Sequence, residues 1–539
     1  MHSSSERTTG SPRADAGTGL TRRHMLALGA GAGLTGVAAG LPGAWGATGG
    51  RAGRVVEPFT LGIASGDPVA DGVVLWTRLA PEPLQLGAMP NRPIPVRWEV
   101  AHDERFRRVA AKGTVQALPE SAHAVHVEVE GLGPGREYFY RFKTGQELSA
   151  VGRTKTAPRP DQDPRRLAFA FASCQMFEHG YFTAFKHMAQ EDLDLVVHLG
   201  DYIYEYGPYE YVGRSGNVRL HVGREVESLD DYRLRHAQYK TDSDLQAAHA
   251  AFPWITTFDD HEVDNNWAAD VPENMAGPNA TRESFLARRA AAFQAYYEHM
   301  PLRRGARPIG PDMLAYRRLT FGRMAEFSAL DTRQYRSDQA CGDGARVDCA
   351  ARLDPNRTMT GPQQERWLLD GLEHSRARWN VVAQQVFMAQ RDTDPGPPQR
   401  FSMDAWDGYA AGRDRLLAHV QSRRVPNPIV LTGDVHRSWV ADLKADFDDP
   451  ASATIGTEFV GSSISSTGDG TAENQDAVLA ANPHLRFFED QRGYMRCELD
   501  AERWRTDVRV VPYVSRPGAP ITTSASFAVI NGAAGAQPA

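Results

Sequence analysis

The chain has 539 residues, a formal net charge of -7 at neutral pH, and 41% apolar and 24% charged residues. That length allows two or three domains and a large core, and the composition is ordinary for a soluble globular protein. The negative balance gives a nucleic-acid partner no electrostatic support, and four cysteines are too few to build the fold from disulfides.

In chain order, a polar Ser/Thr/Gly-rich start leads to Thr21-Arg22-Arg23-His24-Met25-Leu26 and then to a weakly apolar Gly/Ala run ending near Gly43. Paired arginines before a modest apolar region resemble a bacterial twin-arginine export signal, so residues 1–47 are assigned to a signal peptide, with cleavage between Ala39 and Gly50. The alternative, a retained anchor, is disfavoured because the run is too glycine-rich and interrupted for a good spanning helix. The expectation is a secreted or cell-envelope protein that uses the twin-arginine translocase and has no membrane span when mature.

Residues 55–157 alternate apolar and polar positions, as in Val125, Val127 and Val129 or Tyr138, Tyr140 and Phe142, with a Gly131-Leu132-Gly133-Pro134-Gly135 turn between. This predicts a small all-β sandwich of immunoglobulin or fibronectin type with no catalytic constellation of its own. A proline-rich linker follows. Residues 165–515 then alternate strands and helices, predicting an α/β layered domain. Helices are expected over 231–250, Thr281–Met300 and Gln363–Arg378. The Ala/Gly/Ser/Pro-rich end, 516–539, reads as a mobile or loosely docked tail, although Phe527 to Ile530 offers a short apolar run. Cys341 and Cys349 share a Gly/Asp-rich loop and can bridge; no pairing is assigned from spacing.

The chemistry gathers where predicted strands stop. Leu195-Val196-Val197 runs into Gly200 and Asp201, with Tyr204 three residues on. Six predicted strands end at Cys174, Asp201, Asp260, Asp331, Gln384 and Asp434. Ligands of open α/β sheets bind at such ends, and converging carboxylates and a phenol suit hard metal ions.

Gly200-Asp201-x-x-Tyr204, Asp260-His261-Glu262 and Gly433-Asp434-x-His436 run in the order of the binuclear metallophosphatase motifs. The blocks FASCQ, LGDYIYE, DDHEVDNNW, LDTRQYR and LTGDVH resemble more closely the PhoD-like family of alkaline phosphatases and phosphodiesterases. The resemblance implies a calcineurin-like catalytic domain behind the β-sandwich. It also implies hydrolysis of phosphate monoesters or diesters by a metal-activated water. Relative to the general pattern, Asp260 replaces Asn, Asp434 replaces His, and Cys174 stands at the end of the first strand. Anionic oxygen and sulfur in place of neutral and nitrogen ligands disfavours a zinc pair and favours iron with calcium, as the resemblance also implies. Cys174, Asp201, Tyr204 and His436 are assigned to Fe3+. Asp201, Asp260 and Asp434 are assigned to Ca2+, with Asn265 as an additional candidate. His261 is the candidate for leaving-group protonation or a phosphate contact, against a supporting role behind the ligands. Arg333 is the candidate phosphate clamp, against a structural ion pair.

The sequence lacks the second histidine of a zincin helix, and no G-x-S-x-G elbow is found. Two other readings remain: a phospholipase D-type phosphodiesterase, and a secreted binding protein with a non-catalytic metal site.

Overall fold

The structure, a computed structural model, describes residues 57–539; the segment assigned to the signal peptide lies outside the described residues. Two large sheets stack face to face. The strand Leu167–Ala172 shows how the sequence dictates this, because alternate side chains of a strand point to opposite faces. Leu167, Phe169 and Phe171 enter a core shared with Phe327, Val381, Leu431 and Phe459 of the other sheet. Ala168, Ala170 and Ala172 face a second core made with helices. Phe169 meets Phe327 edge-on across the interface, with centroids 5.2 Å apart, a favoured aromatic geometry.

The first sheet has ten strands, with Leu167–Ala172, Leu195–His198 and Pro253–Thr256 parallel at its centre. In the second, of seven strands, Ala325–Ala329, Trp379–Ala383, Pro428–Thr432 and Thr454–Val460 are parallel. Helices Leu229–Lys240, Ser243–Ala251 and Arg282–His299 cover the outer face of the first sheet. Helices Gly361–His374 and Ala410–Arg423 cover the outer face of the second. The α/β layered architecture is therefore helix, sheet, sheet, helix. The helix expected over 231–250 is split, because the Asp242 side chain accepts the Asp244 and Leu245 N–H groups and starts a new helix.

The N-terminal sandwich is present but not separate. Its sheet of Ile63–Val69, Gly72–Arg78 and Ala124–Val129 is continuous with the ten-stranded sheet, since Ser65 pairs with Pro253 and Gly66 with Trp254. A five-stranded sheet built on Ile94–Ala101 and Glu137–Thr144 closes the sandwich. Val73, Leu75, Val96, Val100, Val127, Tyr140 and Phe142 fill it.

The expected loose tail is corrected by the structure. Thr522–Ile530 and Ala533–Pro538 are the last two strands of the ten-stranded sheet, and Phe527, Val529 and Ala536 sit in the inter-sheet core. The segment is held by strand pairing and by the burial of Phe527, Ala528, Val529 and Ala536, although most of its other side chains are exposed. Cys341 and Cys349 form a disulfide, and Cys174 and Cys497 are free and buried. No helix among the described residues is long and apolar enough to cross a membrane.

Candidate metal centre

The parallel strands of both sheets end along one seam. Thr257 donates to the carbonyl of Leu330 (2.9 Å), and Gln385 bridges Thr257 (3.0 Å) and Leu330 (3.1 Å) across it. The turns are tight. A Cβ on Gly200, whose φ is +109°, would lie 2.6 Å from the Asp259 nitrogen, and one on Gly433 would lie 2.7 Å from the Ser173 hydroxyl. Only glycine lets these loops approach so closely.

Three linked groups result. Cys174, Asp201 and His436 lie together, as do Asp201, Asp260 and His261, and Asp259, Asp260 and Asp434, each set offering ligand atoms within 4.8 Å of one another. Asp201 belongs to the first two sets and Asp260 to the last two. Tyr204 donates to Asp201 Oδ2 at 2.9 Å and lies 3.1 Å from His436 Nε2. The expected Cys174, Asp201, Tyr204, Asp260, Asp434, His436 and His261 thus meet.

The Asn265 amide nitrogen donates to Glu273 at 2.6 Å. Arg333 is fully buried. Its Nε donates to Asp259 at 2.6 Å, Nη1 to Asp404 at 2.9 Å and Nη2 to Asp260 at 3.2 Å. The expected phosphate clamp is therefore a structural hub for carboxylates with no surface facing a substrate.

Four residues escaped the sequence reading. Asp259 enters the third group. Asp404 pairs with Arg333 and, at 3.1 Å, with Arg336. Glu262 accepts the N–H groups of Asp201 (3.1 Å), Tyr202 (2.6 Å) and Asp259 (2.9 Å), fastening two strand-end loops together. Glu205 accepts from His261 Nδ1 (2.8 Å) and the Asn265 N–H (2.9 Å). Each motif thus supplies the glutamate that fixes the other. The signal for Glu205 and Glu262 was their place directly after the motif tyrosine and histidine.

Electrostatics favour added cations. Burial, reinforced by Asp404 and Asp260, pushes Asp434 up to about 8. Asp259 is also pushed well up by burial, against Arg333. Burial opposes the charge of Asp260 too, but Arg333 and His261 hold it well below the usual carboxylate range. Burial, then Asp201, drives the Cys174 thiol and the Tyr204 phenol far up. Buried Asp201 Oδ1 and Asp259 Oδ2 have no hydrogen-bond partner, a cost of about 1–3 kcal/mol each if left so. Nearby positive charge favours the ionised forms, so the donor set fits metal ions. His436 remains a neutral imidazole, its pKa lowered by burial, with Nδ1 2.9 Å from the Thr467 hydroxyl; a neutral ring suits a ligand.

Among known proteins, the family described as PhoD-like phosphatase matches residues 169–508, and its N-terminal domain matches residues 46–158. Alkaline phosphatase D of Bacillus subtilis (strain 168) is 55% identical over 472 residues, spanning 87% of this chain and 80% of its own. The solved structure described as "Structure of PhoD" superposes with a TM-score of 0.88 at 53% identity, covering 91% of this chain and 93% of that one. Motif order, layered fold and both matched regions agree: the chain belongs to the PhoD-like phosphatase family.

Proposed function

We propose that this chain hydrolyses phosphate esters at the strand-end seam, with Cys174, Asp201, Tyr204 and His436 holding Fe3+ and Asp201, Asp259, Asp260 and Asp434 holding Ca2+. Family membership supports the phosphoric ester hydrolase, and the sharing of Asp201 between two ligand groups carries the site assignment. Metal ions there supply Lewis-acid neutralisation of phosphoryl charge and lower the pKa of water. The chain's own residues do the rest. His261 is oriented by Glu205 through Nδ1 and stacks on Tyr204 with centroids 4.1 Å apart, and its Nε2 lies 3.8 Å from Asp260 Oδ2. Although burial pulls its pKa down, Glu205, Asp260 and Asp201 raise it well above the ordinary value. With its ring held by Glu205, His261 is placed to exchange a proton with the leaving oxygen. Arg333 gathers Asp259, Asp260 and Asp404 and touches no substrate.

The test is elemental analysis together with hydrolysis of p-nitrophenyl phosphate before and after exhaustive chelation. Activity is expected to vanish with the metals and to return with calcium while iron stays bound. Full activity in verified metal-free protein would overturn the proposal. We also infer twin-arginine export from Arg22-Arg23 and the weak apolar region after them. Replacement of both by lysine should retain the precursor in the cytoplasm, and undiminished secretion would point to another route.

A further inference from the structure

The loop from Gln384 to Arg391 leaves the carboxyl end of strand Trp379–Ala383, on the edge from which Asp434 leaves Pro428–Thr432. Its backbone is fastened. Met388 and Ala389 donate N–H to Glu458 at 2.8 and 2.7 Å, Trp406 donates to the Phe387 carbonyl at 3.0 Å, and the Arg391 N–H donates to Asp407 at 2.9 Å. The Arg391 guanidinium lies 4.6 Å over the Phe387 ring and 5.6 Å over the ring of Trp439, three residues beyond His436.

Arginines around this seam close on carboxylates. Arg333 takes Asp259, Asp260 and Asp404, Arg437 takes Glu473 at 2.7 Å, and Arg413 takes Asp407 at 2.6 Å. Arg391 is the exception. Asp407, which receives its backbone N–H, gives its other oxygen to Arg413. Among the described residues the Arg391 guanidinium makes ring contacts and no ion pair. It is partly exposed, and Asp407 first and then Asp434 act on its charge. A guanidinium held by its faces on aromatic rings keeps its N–H groups in plane and pre-oriented, and their natural partner is a phosphoryl oxygen.

We propose that Arg391 is a substrate-binding residue whose N–H edge takes a non-bridging phosphoryl oxygen, favouring the dianionic group of a phosphate monoester over the monoanionic group of a diester. The assignment rests on the phosphoesterase reading. A monoester presents three non-bridging oxygens and two charges, a diester two oxygens and one charge, so an added cation favours the monoester.

The experiment compares metal-loaded wild type with Arg391→Met, which keeps the stem on the rings, and with Arg391→Lys. Readouts are inorganic phosphate binding by titration calorimetry, and kcat/KM on p-nitrophenyl phosphate and bis-p-nitrophenyl phosphate. Arg391→Met is expected to weaken phosphate binding about tenfold or more, to lower monoester kcat/KM by a similar factor, and to change the diester less. Lysine should recover part of each loss. Unchanged phosphate affinity in a variant with wild-type metal content overturns the proposal, as does an equal loss on both esters. If Arg391→Met does not fold, Arg391→Gln decides by the same readouts. Absence of hydrolysis by metal-loaded wild type would count against the phosphoesterase reading alone, because the calorimetric comparison still scores Arg391.

Discussion

Four proposed ligands sit in left-handed backbone conformations: Cys174 at φ 59°, Asp201 at 55°, Asp434 at 64° and His436 at 56°. Each costs on the order of 1 kcal/mol or more, and the surrounding fold bears that cost to aim the side chains at one seam. Asp201 carries the greatest demand because it belongs to two ligand groups. Asp201→Asn should therefore lose more activity than Asp260→Asn or His436→Ala, by over about tenfold, or about 1.4 kcal/mol in barrier; near-wild-type turnover would remove the bridging role. The Cys174 and Tyr204 protons are held so tightly in the buried site that a strongly charged ion is needed to displace them. Phenolate and thiolate bound to ferric iron should give the concentrated protein a visible colour. Tyr204→Phe and Cys174→Ser should each shift or weaken that band and lower bound iron by elemental analysis. A colourless, active zinc protein would refute the assignment.

At the scale of elements, much was readable because β-branched runs stopping at glycine or aspartate mark parallel strands. The ends at Asp201, Asp260 and Asp434 did converge. Asp404 was not readable, since it acts through Arg333, far away in sequence, whereas Glu205 and Glu262 offered only their place beside the motif tyrosine and histidine and no sign of their distant partners. Arg333 was read as a clamp because a motif arginine in a phosphatase-like sequence suggests phosphate, whereas only the fold shows three carboxylates already around it. The chain end was misread for a simpler reason: a strand that closes a sheet over a core needs little charge, and so does a flexible tail. Removing residues 520–539 would take away Phe527 and Val529 and expose the inter-sheet core around Trp504 that they cover. Burying one such side chain is worth about 1.5–3 kcal/mol. The truncated protein should thus aggregate or lose several degrees in Tm, and an unchanged Tm in a thermal scan would restore the loose-tail reading.

At the scale of the whole molecule, the N-terminal sandwich and the catalytic layers meet around a buried lysine. Lys240 ends the helix Leu229–Lys240, and its ammonium lies 4.2 Å from the centroid of Trp76, in the sandwich, and 5.2 Å from that of Tyr202, beside the metal centre. His198, His236, His249 and Arg78 surround this junction, and among the described residues no ion pair reaches the Lys240 ammonium. Burial alone lowers the Lys240 pKa from 10.5 to about 7. Cation–π contact with Trp76 offsets part of the desolvation cost, by about 1–2 kcal/mol. In the unfolded chain the lysine keeps its proton up to its ordinary pKa. Between about pH 7 and 10.5 the unfolded state therefore binds more protons than the native state, and stability rises with pH by up to about 1.4 kcal/mol per unit from this group. Below pH 7 both states are protonated and the penalty is constant. Lys240→Met keeps the volume and removes the charge. It should raise the urea midpoint at pH 7, leave it nearly unchanged at pH 10, and flatten the rise between them. A lower midpoint at pH 7 would mean that the ammonium, through its aromatic partners, holds the two parts together more strongly than its burial opposes them.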